Sequence, residues 1–110
     1  GYCALQVNTT GTSNVAVGTY ALDANTTASN NTALGYNTLT ANTTGASNTA
    51  IGSSALTSNT TANNNTSIGV ASMFANETGA DNVAIGQEAL SGNITGSSNT
   101  AVALKLNILS

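Results

Sequence analysis

The sequence predicts an all-β protein, a β-solenoid (β-roll) of about six 17-residue coils. Three observations predict it. Gly18, Gly35, Gly52, Gly69 and Gly86 recur at a step of 17 residues, and two columns of asparagine keep the same step. Short β-branched segments such as Thr49-Ala50-Ile51 and Val83-Ala84-Ile85 alternate with Asn-Thr-Thr-Gly turns. The composition disfavours helix, because 17 Asn, 19 Thr and 11 Gly stand among 110 residues. The step is also too short for helix-pair repeats and too long for heptads.

The chain reads as a single repeat array over 1–110. Residues 8–109 hold six units of the form N-T-T-G-x-x-N-T-A-I-G-x-x-A-L-x-x. Residues 1–7 align with 18–24 as a partial repeat, so Gly1 joins the glycine column. That register suggests a window on a longer array, or a half-repeat supplied by another chain. In the last unit Ala103 stands where glycine is expected, and residues 101–109 alternate. The alternation predicts a longer terminal strand with Val102, Leu104, Leu106 and Ile108 on one face.

Each unit is expected to supply its own share of a narrow core. Leu22, Leu39, Leu56, Met73 and Leu90 form one inner ladder on this reading, and Val17, Leu34, Ile51, Ile68, Ile85 and Val102 form another. The small column between, Ala16, Ala33, Ala50, Ser67, Ala84 and Ala101, then faces outward and suits packing against another chain. The Ala-Leu pairs (Ala21-Leu22, Ala55-Leu56, Ala89-Leu90) mark a second strand in each coil. Positive φ is expected at the Asn and Gly of the turn.

Four acids and one Lys give a net charge of −3. That balance supplies neither a basic stripe for nucleic acid nor a cationic face for membrane surfaces. No apolar run is long enough to insert in a bilayer. With no His and one Cys, no Ser-His-Asp, Cys-His or transition-metal set can be assembled within one chain. Asp23, Glu77, Asp81 and Glu88 fall in different columns and build no recurring carboxylate site. The expectation is a protein that is not an enzyme and holds no cofactor, covalent N-glycans aside. Cys3 is expected to face outward as a free thiol, the alternative being a link between two chains.

Every unit opens on a sequon, at Asn8, Asn25, Asn42, Asn59, Asn76 and Asn93, and the Thr two residues on never changes. This column is expected to carry N-glycans. It also reads as a hydrogen-bonded turn whose asparagines stack from coil to coil. The second column, Asn14, Asn31, Asn48, Asn65, Asn82 and Asn99, mostly lacks the hydroxyl and is expected to be a structural ladder. Further sequons at Asn30, Asn64 and Asn65 lie outside the first column.

The recurring N-T-A-[IVL]-G-x-x-A-L core, as in Asn48 to Leu56 and Asn82 to Leu90, resembles the repeats of YadA-like head domains of trimeric autotransporter adhesins and of tail-fibre-like surface proteins. The resemblance covers essentially the whole chain. It implies a left-handed β-roll, side-by-side trimers and a role in surface attachment. The family's head repeat is usually shorter, near 14 residues, and the extra residues here fall in the Asn-Thr-Thr-Gly turn. The expected role is an extracellular or cell-surface structural fibre subunit. Its partners are copies of itself, head to tail and side by side. The alternative is an adhesin head that binds a host or surface ligand.

Overall fold

The computed structural model describes residues 1–103, and they form a β-solenoid without helix. Each full coil contributes one strand of three residues: β1 (Val15–Val17), β2 (Thr32–Leu34), β3 (Thr49–Ile51), β4 (Thr66–Ile68), β5 (Val83–Ile85) and β6 (Thr100–Val102). The six strands pair parallel in chain order, and every partner lies 17 residues on, as in Val15 with Thr32 and Ala50 with Ser67. Identical columns therefore stack on themselves about every 4.8 Å. The remaining expected residues of the terminal strand lie outside the described residues.

The strand turns its faces opposite to the expected way. Ala33, Ala50, Ser67 and Ala84 are fully buried, whereas Val17, Leu34, Ile85 and Val102 are exposed and Ile51 and Ile68 half-buried. The inner ladder of Leu22, Leu39, Leu56 and Met73 occupies the coil's width, so only Ala or Ser fits across from it. Apolarity alone pointed to the larger column, but the volume of the interior selects the smaller one. The small column is thus core, not an outer packing surface.

The Ala-Leu pairs also differ from expectation, being turns and not second strands. Leu22, Leu39, Leu56, Met73 and Leu90 take positive φ between 48° and 52°. A left-handed leucine costs on the order of 1 kcal/mol or more. Full burial of its side chain offsets that with roughly 1.5–3 kcal/mol. Positive φ recurs at two other non-glycine columns in each coil, at Tyr20 and Ser13 and their equivalents, rather than at the opening Asn. Nor do the turn glycines Gly11, Gly45 and Gly79 take positive φ; the strand-end glycines Gly18, Gly35, Gly52, Gly69 and Gly86 do. Gly52 has φ +121°, and a Cβ there would lie 2.7 Å from the backbone of Gly69.

A two-coil alternation overlies the 17-residue step. Gly11, Gly45 and Gly79 alternate with Ala28 and Ala62, while Ala21, Ala55 and Ala89 alternate with Thr38 and Ser72. In the glycine-bearing coils backbone N–H groups converge on one carbonyl of the next coil. Those of Thr9, Thr10 and Gly11 donate to Thr26 O, and those of Thr43, Thr44 and Gly45 donate to Thr60 O. A Cβ on Gly11 would meet Ala28 O at 2.3 Å, which explains the missing side chain there. The hydroxyl-bearing coils satisfy their own extra polar atoms. Thr38 Oγ1 donates to Gly35 O at 2.9 Å, and Ser67 Oγ donates to Ser72 O at 2.9 Å while touching the Ser72 hydroxyl.

Candidate functional site

The asparagine columns are where the sequence concentrates its chemistry, and the inner coils place both inside. Asn25, Asn42, Asn59 and Asn76 have 0% of their surface exposed, and Asn8 and Asn93 are half-buried. From Asn25 onward each side chain of the first column reaches back to the coil before it. Nδ2 of Asn25, Asn42, Asn59, Asn76 and Asn93 donates to Oδ1 of the preceding column member at 2.9–3.1 Å. The second hydrogen of each Nδ2 goes to the carbonyl three residues ahead, as in Asn42 to Gly45 O at 2.9 Å and Asn59 to Ala62 O at 3.1 Å.

This geometry weighs against N-glycans at Asn25, Asn42, Asn59 and Asn76 in the folded coil. A sugar on Nδ2 would replace one of two donated hydrogens and would need space that a fully buried side chain lacks. The sequon was visible in sequence, but the inward direction of its Asn was not. The column is instead the stacked, hydrogen-bonded turn that the same residues also suggested. The exposed Thr10, Thr27, Thr44, Thr61, Thr78 and Thr95 make no hydroxyl hydrogen bond, and nothing in the structure explains their constancy.

The second column forms a ladder of a different kind. Oδ1 of Asn31 accepts from the backbone N–H of Asn48 at 2.9 Å, and its Nδ2 donates to Gly45 O at 2.8 Å. The same pair of bonds links Asn14 to Asn31 and Ala28, Asn48 to Asn65 and Ala62, and Asn65 to Asn82 and Gly79. Asn82 likewise accepts from the N–H of Asn99 and donates to Gly96 O. No buried side-chain polar atom among the described residues lacks a partner. In each inner coil a single large apolar side chain, such as Leu22, is buried beside two asparagines, such as Asn25 and Asn31, so this satisfaction is a condition of folding.

Outside, two features stand out. The strand face presents Val17, Leu34, Ile51, Ile68, Ile85 and Val102 in register beside Val15, Thr32, Thr49, Thr66, Val83 and Thr100, and neither column holds a charged residue. The second is an aromatic cluster. Tyr20 meets Tyr2 edge to face at 5.9 Å between ring centroids and Tyr36 at 6.3 Å. In sequence these rings occupy two columns, and stacking of the coils interleaves them. Cys3 is a half-buried free cysteine beside this cluster in the Tyr20 column.

Among the described residues no three of His, Cys, Asp and Glu lie together. Asp23 is engaged locally, accepting from the Thr40 hydroxyl at 2.6 Å. No helix of the described chain is long and apolar enough to cross a membrane. Comparison of the chain with known proteins found no matching family model, no matching curated protein and no matching solved structure.

Proposed function

We propose that the chain is a structural, non-catalytic subunit of an extracellular or cell-surface fibre, built by adding coil upon coil. The observation that carries this reading is the sameness and polarity of every coil-to-coil junction. At each one an Asn amide of the later coil donates to the Asn Oδ1 of the earlier coil, within 2.9–3.1 Å. A further coil, from the same chain or another copy, adds by the same bonds and only in one sense. A heterologous contact of that kind does not close on itself and produces a filament.

Side-by-side association adds the second dimension. The uncharged Val, Leu and Ile column is the face suited to it, in place of the small column that sequence favoured. The side-by-side assembly implied by the YadA-like or tail-fibre-like resemblance would use this face. Electron microscopy and sedimentation over a range of concentrations test the reading. Filaments or bundles that grow with concentration are expected; a monodisperse monomer at every concentration overturns it.

A second reading, an adhesive head, draws on the Tyr2, Tyr20 and Tyr36 cluster, since adjacent exposed rings offer apolar faces to a surface ligand. Replacing Tyr2 and Tyr36 by Ser separates the two readings. Loss of surface attachment with assembly intact favours adhesion, and unchanged attachment removes it.

A further inference from the structure

Folding closes one set of sequons and opens another. Asn30-Asn31-Thr32 and Asn64-Asn65-Thr66 both meet the acceptor pattern. Asn30 and Asn64 stand at the exposed corner just before β2 and β4, with φ of 65° and 62°. Their backbone N–H groups hold the corner to the preceding coil, donating to Thr12 O at 3.0 Å and Ala46 O at 3.1 Å. Their side-chain amides make no hydrogen bond. The intervening Asn31 and Asn65 point inward and are fully buried. Thr32 and Thr66 alternate back to the outer face of the strand, so the acceptor amide and the hydroxyl of each sequon lie on the same side of the coil.

We propose that Asn30 and Asn64 are the positions at which this solenoid carries N-linked sugar, and that a sugar on the buried column excludes the coil. In the modification the anomeric carbon of an activated sugar donor bonds to Nδ2. One amide hydrogen leaves as a proton, and the donor's phosphate-bearing leaving group departs with the bonding electron pair. At Asn30 or Asn64 this costs no hydrogen bond of the fold. At Asn25, Asn42, Asn59 or Asn76 it removes a donor that is already engaged inside the coil.

The two acceptors lie 34 residues apart, which is two coils, and so share one corner about 10 Å from each other along the stack. Ser13, Ser47, Asp81 and Ser98 take the same corner in the other described coils and offer no amide for N-linked sugar. Sugar at these two corners gives a weakly charged rod a hydrophilic edge without crowding neighbouring glycans.

The full chain, routed through a secretory pathway that contains an oligosaccharyltransferase, provides the test. Its folded, protease-resistant fraction is mapped by mass spectrometry. Sugar at Asn30 and Asn64 with Asn25, Asn42, Asn59 and Asn76 bare is the expected result. Sugar on any of those four in the folded fraction overturns the proposal, and so does a folded fraction bare at both Asn30 and Asn64. Chemical synthesis of the full chain with a single N-acetylglucosamine supplies the second measurement. The chain modified at Asn64 should melt within a few degrees of the unmodified protein, while the one modified at Asn42 should show no cooperative transition. Equal melting of the two forms contradicts the proposed exclusion.

Discussion

At the scale of single residues, the fold depends on amides whose every hydrogen is used. Asn42 donates to Asn25 Oδ1 and Gly45 O and accepts from Asn59, all without exposure. Replacing it by Ala leaves buried partners unmade, so Asn42→Ala should lose about 3 kcal/mol or more in urea unfolding. Asn42→Asp should be worse near neutral pH, because a carboxylate would face two carbonyl-type acceptors in a dry site. Burial raises that carboxyl's folded-state pKa above its unfolded value. The variant's stability is then fully present below the unfolded pKa and is lost as pH rises through the folded one. Urea midpoints for Asn42→Asp should accordingly be higher at pH 3 than at pH 7, relative to the parent; the opposite slope would contradict the ladder. The sequence displayed these asparagines plainly by their step. It did not display their direction, because a sequon and an inward turn ladder use the same residues.

At the scale of the element, one three-residue strand per coil decides which side is core. Leu56→Ala should cost about 2–5 kcal/mol, as a fully buried side chain leaves a cavity. Leu34→Ala, on the outer strand face, should stay within about 1 kcal/mol in the monomer. Equal losses would mean that both ladders are internal, which is how the pattern of apolar residues read on its own. Period-2 alternation identifies two faces but not which one is inside, and here the width left beside the leucines settles it. Glycine provides an independent check. Gly52→Ala adds a Cβ 2.7 Å from backbone at φ +121°, so a loss of about 2–4 kcal/mol is expected. Gly92→Ala meets nothing within 4 Å and should be close to neutral. Thermal melts of the two variants distinguish them directly. The left-handed leucines escaped the sequence because intrinsic preference disfavours them; only the shape of the closed coil makes that conformation worthwhile.

At the scale of the whole molecule, stability comes from repetition, since each coil is too narrow to bury a core of its own and relies on its neighbours. The 17-residue step made the stacked, all-β architecture legible, while the two-coil alternation lay hidden because it changes small residues for small ones. Assembly belongs to this scale too. The double variant Ile51→Lys with Ile68→Lys places charge on the outer face and should keep the monomer's melting temperature while lowering any side-by-side association seen by sedimentation. Persistence of that association would move the interface elsewhere. The central claim, that both asparagine columns lie inside the coil, is tested most directly by side-chain amide hydrogen exchange in an assigned NMR spectrum. The structure predicts strongly protected Nδ2 hydrogens at Asn25, Asn31, Asn42, Asn48, Asn59, Asn65, Asn76 and Asn82, and fast exchange at Asn30 and Asn64. Uniformly fast exchange across the first column would turn those side chains outward and contradict the account.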